Sequence, residues 1–158
     1  MAEPILAVKD LAVSFATDEG VVQAADGVSF ELEPGEVLAI VGESGSGKSV
    51  TAMTILGLTR SPNARFDGTI TYKGTELVGA RDEELQKVRG AEIAMIFQDP
   101  MTSLNPVMKI GDQIVEQIQE HEGAPDAEAR ERVVELLERV GIPRARDRVD
   151  SYPFEFSG

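Results

Sequence analysis

Apolar residues alternate or cluster in strand fashion from Ile5 to Phe15, and again through Val28, Phe30 and Leu32, with Gly20 and Gly27 punctuating the stretch. Pro34-Gly35 closes it with a turn, so the pattern predicts two or three antiparallel strands. The run Val37-Leu38-Ala39-Ile40-Val41 is short and apolar at every position, as a parallel strand buried on both faces would be. Gly42 to Gly47 is too rich in glycine and serine for regular structure. Past it, Val50, Ala52, Met53, Ile55, Leu56 and Leu58 crowd apolar groups into one helix-length stretch. Strand, glycine-rich loop, helix is the predicted order. Thr69 to Tyr72 alternates as a strand entering a turn at Gly74, and Ile93 to Phe97 is another short apolar strand. Between them Asp82 to Arg89 reads as a short polar helix, with Glu83 and Lys87 one turn apart. After Pro106 the spacing turns helical. Ile114, Val115 and Ile118 form one stripe, and Ala129, Val133, Leu136, Leu137 and Val140 form a second. For that second helix Asp126 is the expected N-cap, Glu128 lies in the first turn, and Gly141 then Pro143 stop it. The plan is mixed β, then α/β, then α, with no internal repeat.

Composition narrows the classes. The 158 residues suit about one ordinary domain. The net charge is −13, from 15 basic and 28 acidic side chains, which argues against the basic footprint that nucleic acid requires. No nucleic-acid partner is expected, and the acidic surface reads as a solvated one. With no Cys and one His, disulfides and Cys-based zinc or iron–sulfur sites are excluded. Val37 to Val41 is the longest aliphatic run, far short of the roughly 20 residues of a membrane helix. Met1-Ala2-Glu3-Pro4 carries no basic-then-apolar signal, so a cytosolic chain is the default expectation.

The chemistry concentrates in Gly42-Glu43-Ser44-Gly45-Ser46-Gly47-Lys48-Ser49, which fits the phosphate-binding pattern G-x-x-x-x-G-K-[ST]. Glycines let the backbone curl so that successive N–H groups point inward at phosphate oxygens. The following helix, from Lys48 and Ser49 into Val50, adds its unpaired N-terminal amides and positive dipole end. Lys48 is expected to reach the β- and γ-phosphates, and the Ser49 hydroxyl to ligate Mg²⁺. The loop by itself says only that a nucleoside triphosphate is handled. GTPases, small-molecule kinases, helicases and transporter ATPases share it.

The segment Met95-Ile96-Phe97-Gln98-Asp99-Pro100-Met101-Thr102-Ser103-Leu104-Asn105-Pro106 narrows that list. It resembles the Q-loop of ATP-binding cassette (ABC) ATPases, in the form seen in the oligopeptide and dipeptide permease family. The resemblance implies that Gln98 touches Mg²⁺ and the attacking water. Ser151-Tyr152-Pro153-Phe154-Glu155-Phe156-Ser157-Gly158 looks like the lead-in to the ABC signature, with Phe156 in place of the usual leucine. It implies that Ser157 and Gly158 face ATP on a partner subunit. Phe15 resembles the aromatic that stacks on adenine, and a core aromatic on a strand is the equal alternative. His121 is expected at the surface and carries over no family role.

The resemblance spans essentially the whole chain, but no apolar strand ending in Asp-Glu follows the signature, and no switch histidine is present. The chain is therefore expected to be a truncated ABC ATPase domain over residues 1–158. Its fold class is α/β, a partial P-loop core with an N-terminal antiparallel β subdomain and the start of a helical subdomain. Residues 1 to about 100 are expected to form the β subdomain and half of the core, and residues from about 101 to 158 the helical subdomain. Family members use ATP and Mg²⁺, work as head-to-tail dimers of ATPase subunits, and sit peripherally on the cytoplasmic face of the membrane against transmembrane permease subunits. Peptide import is the function implied, with nickel or another small solute as a variant cargo. A non-transport ABC ATPase acting as a nucleotide-gated switch, and an inactive nucleotide-binding fragment, remain the alternatives.

Overall fold

A computed structural model of the chain describes residues 3–97 and 103–156. It divides into two compact units, residues 1–93 and 94–158.

The first unit is built on a four-stranded antiparallel sheet in the order β2-β1-β3-β4. Its strands are β1 (Leu6–Thr17), β2 (Gly20–Leu32), β3 (Ala64–Tyr72) and β4 (Thr75–Glu76). β1 and β2 form one long hairpin, so the residues around Gly27 lie inside a strand. Gly27 takes φ +62° there, and the register steps from Leu11↔Val28 to Val13↔Ala25 across it. A further step, from Val13↔Ala25 to Ser14↔Gln23, leaves Ala24 as an extra residue on β2. Such bulges bend a strand and re-aim its backbone. A third lies on β1, where Lys9 and Asp10 press against β3: a Cβ on Gly68 would meet the Asp10 and Lys9 carbonyl oxygens at 2.4 and 2.5 Å. Helices α1 (Lys48–Ile55) and α2 (Asp82–Val88) complete the unit. Val8, Leu11, Val13, Ile70 and Leu85 are almost wholly buried, and Ile55 and Leu77 pack with them.

The two short apolar runs depart from expectation. Val37 to Val41 is not a strand; Val37 and Val41 are each 92% exposed. Ile93 to Phe97 makes only an isolated bridge, Arg89↔Ile93, and Ile96 is 95% exposed. A strand apolar on both faces is stabilised by neighbours on its edges and by layers covering its faces. Among the described residues no strand pairs with either run.

The second unit is helical: α3 (Ile110–Glu122), α4 (Asp126–Arg139), the short α5 (Ala145–Arg148), and a 3₁₀ turn over Pro153–Phe156. Its core joins Val115 and Ile118 of α3 to Ala129, Val133 and Leu137 of α4, as the two stripes predict. Val140, the last residue of the second stripe, is 73% exposed; it caps α4, and Val134 is buried instead. Asp126 is the first helical residue rather than the cap, which is Pro125. Proline suits that boundary because it has no N–H to leave unpaired. The Asp126 carboxylate accepts from Arg130 Nε at 3.1 Å one turn on. Gly123 and Gly141, at φ +67° and +81°, follow the ends of α3 and α4. His121 is exposed in the last turn of α3.

Candidate phosphate-binding site

The glycine-rich loop lies between the apolar run and α1, as its sequence requires. Gly45 and Gly47 take left-handed φ of +82° and +86°, which side chains resist. The Ser46 amide donates to the Glu43 carbonyl at 3.2 Å, tightening the turn. The first helical bond of α1 runs from the Thr51 amide to the Gly47 carbonyl at 2.8 Å. The amides of Lys48, Ser49 and Val50 therefore precede the helical ladder and point out of its positive end. α1 has no acidic residue in its first turn to offset that polarity.

Lys48 is folded back into the loop. Its Nζ donates to the carbonyls of Gly42 at 2.8 Å and Glu43 at 2.7 Å, and lies 3.2 Å from Ser46 Oγ. A Cβ on Gly42 would sit 2.6 Å from that same Ser46 oxygen, a side-chain atom that would have to turn away. Gly47 makes the tightest approach: its Cβ would lie 2.4 Å from the carbonyl oxygen of Ala24, the bulged residue of β2. Loop and sheet are thus in backbone contact.

Two cavities flank the loop. One of about 280 Å³ runs between Val22, Gln23 and Ala24 of β2 and residues Gly45 to Val50. The other, of about 450 Å³, lies between Val28 to Phe30 and the Leu38 to Gly42 segment, with Ser46 and Lys48 at its wall. Ser44 is exposed at the turn, and Ser49 is exposed at the start of α1. Phe15 is half-buried against the sheet core, directly across from Val22, and does not line the first cavity. Gln98, Met101, Ser157 and Gly158 lie outside the described residues. Thr51 and Thr54, buried at 3% and 5%, gave no sequence signal. Thr54 Oγ1 bonds the Val50 carbonyl at 2.7 Å and Thr59 Oγ1 at 2.9 Å, so its buried hydroxyl is satisfied within α1 and the turn that follows it.

A glycine-curled loop closed around its own lysine, with helix amides opening from it, is an arrangement that can hold phosphates. The profile of the ABC transporter family matches residues 25–158, and the chain belongs to that family. It is 56% identical over 155 residues to the oligopeptide transport ATP-binding protein OppD of Bacillus subtilis, covering 98% of this chain and 43% of OppD. With the dipeptide transport ATP-binding protein DppD of Lactococcus lactis it shares 50% identity over 157 residues, covering 99% of this chain and 45% of DppD. The chain thus spans less than half the length of these curated relatives. Among solved structures, a dimeric bacterial ABC transporter cassette matches with a TM-score of 0.78 at 24% identity, over 97% of this chain and 63% of that one. That likeness establishes the cassette's α/β fold.

Proposed function

We infer that this chain is the nucleotide-binding part of an ABC importer subunit, one that couples ATP binding and hydrolysis to uptake of peptides through a membrane permease. The observation that carries this is the Gly42–Ser49 loop, glycine-curled and closed around Lys48, in a chain 50% or more identical to oligopeptide and dipeptide transport ATP-binding proteins.

The loop residues divide the work. Amides of Gly45, Gly47, Lys48, Ser49 and Val50 offer donors to the phosphates of ATP. The Lys48 ammonium exchanges one of its loop carbonyls for a β- or γ-phosphate oxygen, a charge-assisted bond replacing a neutral-acceptor one. Ser49 Oγ and the phosphates hold Mg²⁺, which needs few protein ligands when bound with a nucleotide. Among the described residues no group of three or more His, Asp or Glu side chains could hold a metal unaided. When bound, the metal neutralises charge developing at the γ-phosphate. Gln98 is assigned to the metal and the attacking water, Phe15 to the adenine face, and Ser157 and Gly158 to the ATP of a second subunit in a head-to-tail dimer. Residues 1 to about 100 serve as the β subdomain and part of the nucleotide core, and the remainder as the start of the helical subdomain. No helix among the described residues is long and apolar enough to cross a membrane. A peripheral place on the cytoplasmic face, against permease subunits, fits that.

The test is titration of a fluorescent ATP analogue against wild type and Lys48→Ala. Loss of a charge-assisted contact of about 1.5–3 kcal/mol weakens binding about tenfold or more. Equal affinities would overturn the assignment of the loop.

A further inference from the structure

The far end of the helix that leaves the phosphate-binding loop is closed by a glycine and two arginines. Gly57, at φ +64°, donates its amide to the Thr54 carbonyl at 2.9 Å, and the Leu58 amide donates to the Met53 carbonyl at 2.9 Å. These paired reverse bonds end a helix on a left-handed residue. The carbonyl of Leu56, which caps α1, accepts from Arg89 Nε at 2.7 Å. Gly57 is buried between the two guanidinium groups: a Cβ there would meet Leu85 Cδ1 at 2.6 Å, Arg89 Nη2 at 3.0 Å and Arg60 Nε at 3.4 Å. Arg60 turns to the segment between β4 and α2. Its Nη1 donates to the Ala80 carbonyl at 2.6 Å, and its Nη2 to those of Leu77 and Val78 at 2.8 and 2.7 Å.

The two half-buried side chains form a crossed clamp. Arg60 leaves the end of α1 and holds the residues before α2, while Arg89 leaves the end of α2 and holds the end of α1. All four carbonyls are main-chain groups, so the clamp fixes backbone positions. A planar guanidinium holds such acceptors at set angles, which a flexible ammonium does less well. Both cations also lie at the negative pole of the α1 dipole, where positive charge is stabilising. The remaining anchorage of α1 is short: Thr51, Thr54 and Ile55 are its buried residues. At the other end Gly47 has its backbone against the Ala24 carbonyl. With eight residues, α1 is about 12 Å long. Releasing the clamp frees α1 to swing about the Gly47 contact. A slip of about 2 Å at the arginine end tilts the helix by about 10°, the scale at which a binding site loses its geometry.

We propose that Arg60 and Arg89 are positioning residues for the phosphate site: by holding α1 at its carboxyl end, they keep the amides of Lys48, Ser49 and Val50 aimed where phosphate oxygens bind. This rests on the reading of the Gly42–Ser49 loop as a nucleotide site. Neither arginine lines either cavity beside the loop. They act through the direction of the helix, so their loss weakens phosphate binding and alters the surroundings of the phosphates without removing a ligand contact.

The experiment uses the full-length protein with Mg²⁺ and a non-hydrolysable ATP analogue. It measures analogue affinity by competition against a fluorescent nucleotide, the ³¹P chemical shifts of the bound analogue, and the melting temperature. Arg89→Gln and Arg60→Gln are each expected to weaken binding about tenfold, the equilibrium effect of one lost charged hydrogen bond, and to move the β- and γ-phosphate resonances. Arg89→Lys, which can still donate to the Leu56 carbonyl, is expected to fall between wild type and Arg89→Gln in both readings. Val8→Ala empties part of the sheet core and leaves every bond of the two guanidinium groups in place. It is expected to lower the melting temperature while affinity and shifts stay at wild-type values. Glutamine variants that melt earlier yet keep wild-type affinity and shifts overturn the proposal. So does an equal weakening by Val8→Ala, which would mean that general loosening of the unit suffices. Should one glutamine variant fail to fold, the other decides on the same readings. A wild type that binds no analogue overturns the functional reading underneath, and that outcome is distinct because it appears before any substitution is made.

Discussion

Gly45 and Gly47 offer a matched pair for testing whether the phosphate-binding loop leans on the sheet. Both sit at nearly the same left-handed φ, +82° and +86°. A Cβ on Gly45 would meet nothing within 4 Å, whereas one on Gly47 would lie 2.4 Å from the Ala24 carbonyl oxygen. Alanine at either site pays about 1–2 kcal/mol for the left-handed conformation. At Gly47 a further displacement of about 0.9 Å is needed to reach an ordinary carbon–oxygen contact of about 3.3 Å. Both sides of that contact are backbone, so neither can swing away as a side chain would. Overpacking of this kind adds about 1–3 kcal/mol. Gly45→Ala should therefore destabilise the first unit by about 1–2 kcal/mol, and Gly47→Ala by about 2–5 kcal/mol. Hydrogen exchange of the β1–β2 amides reads the opening free energy of that unit directly. Ala24→Gly in the Gly47→Ala background should not rescue, because the clashing atom is a main-chain oxygen. Losses at the two glycines that agree within about 0.5 kcal/mol, near the limit of additivity for such comparisons, would refute the contact.

Two further outcomes are expected. Glu92 is held below its ordinary value chiefly by the bond from Lys73 and then by the Tyr72 hydroxyl at 2.9 Å. A depressed carboxylate contributes stability that is complete above its unfolded value, about 4.3, and is lost as pH falls through the lower folded value. Glu92→Gln should thus lower the melting temperature at pH 7, with the difference from wild type shrinking as pH falls below the unfolded value and through the lower folded one; a difference that persists undiminished in acid would refute the linkage. Residues 1–158 assayed alone are expected to release no phosphate from MgATP beyond background, since among the described residues no group of three or more carboxylate or His side chains gathers to hold a metal. Sustained Mg²⁺-dependent turnover abolished by Lys48→Ala would show that one of its carboxylates serves.

Local sequence determined the elements whose stability is local or whose partners are close in the chain. The α4 stripe of Ala129, Val133 and Leu137 marks a buried face because a 3.6-residue period survives whatever packs on it. The irregular course of the Gly42–Ser49 loop was equally legible, since left-handed φ at Gly45 and Gly47 is a demand of the backbone that glycine meets. Tertiary structure alone decided the rest. Val37 to Val41 and Ile93 to Phe97 have the composition of buried strands, yet composition cannot provide the neighbours that make a strand, and both runs lie outside the sheet. Val140 fits the α4 stripe by spacing and is exposed because the helix stops there. The bulge that carries the Ala24 carbonyl onto Gly47 leaves no mark at Ala24, an ordinary residue in an apolar stretch. Likewise nothing around Arg148 announces that it, rather than Arg146, reaches Glu155 and Phe156. Which of two nearby arginines takes a carbonyl and which a carboxylate depends on where α4 and the final turn lie around α5, and that is fixed only when the helices pack.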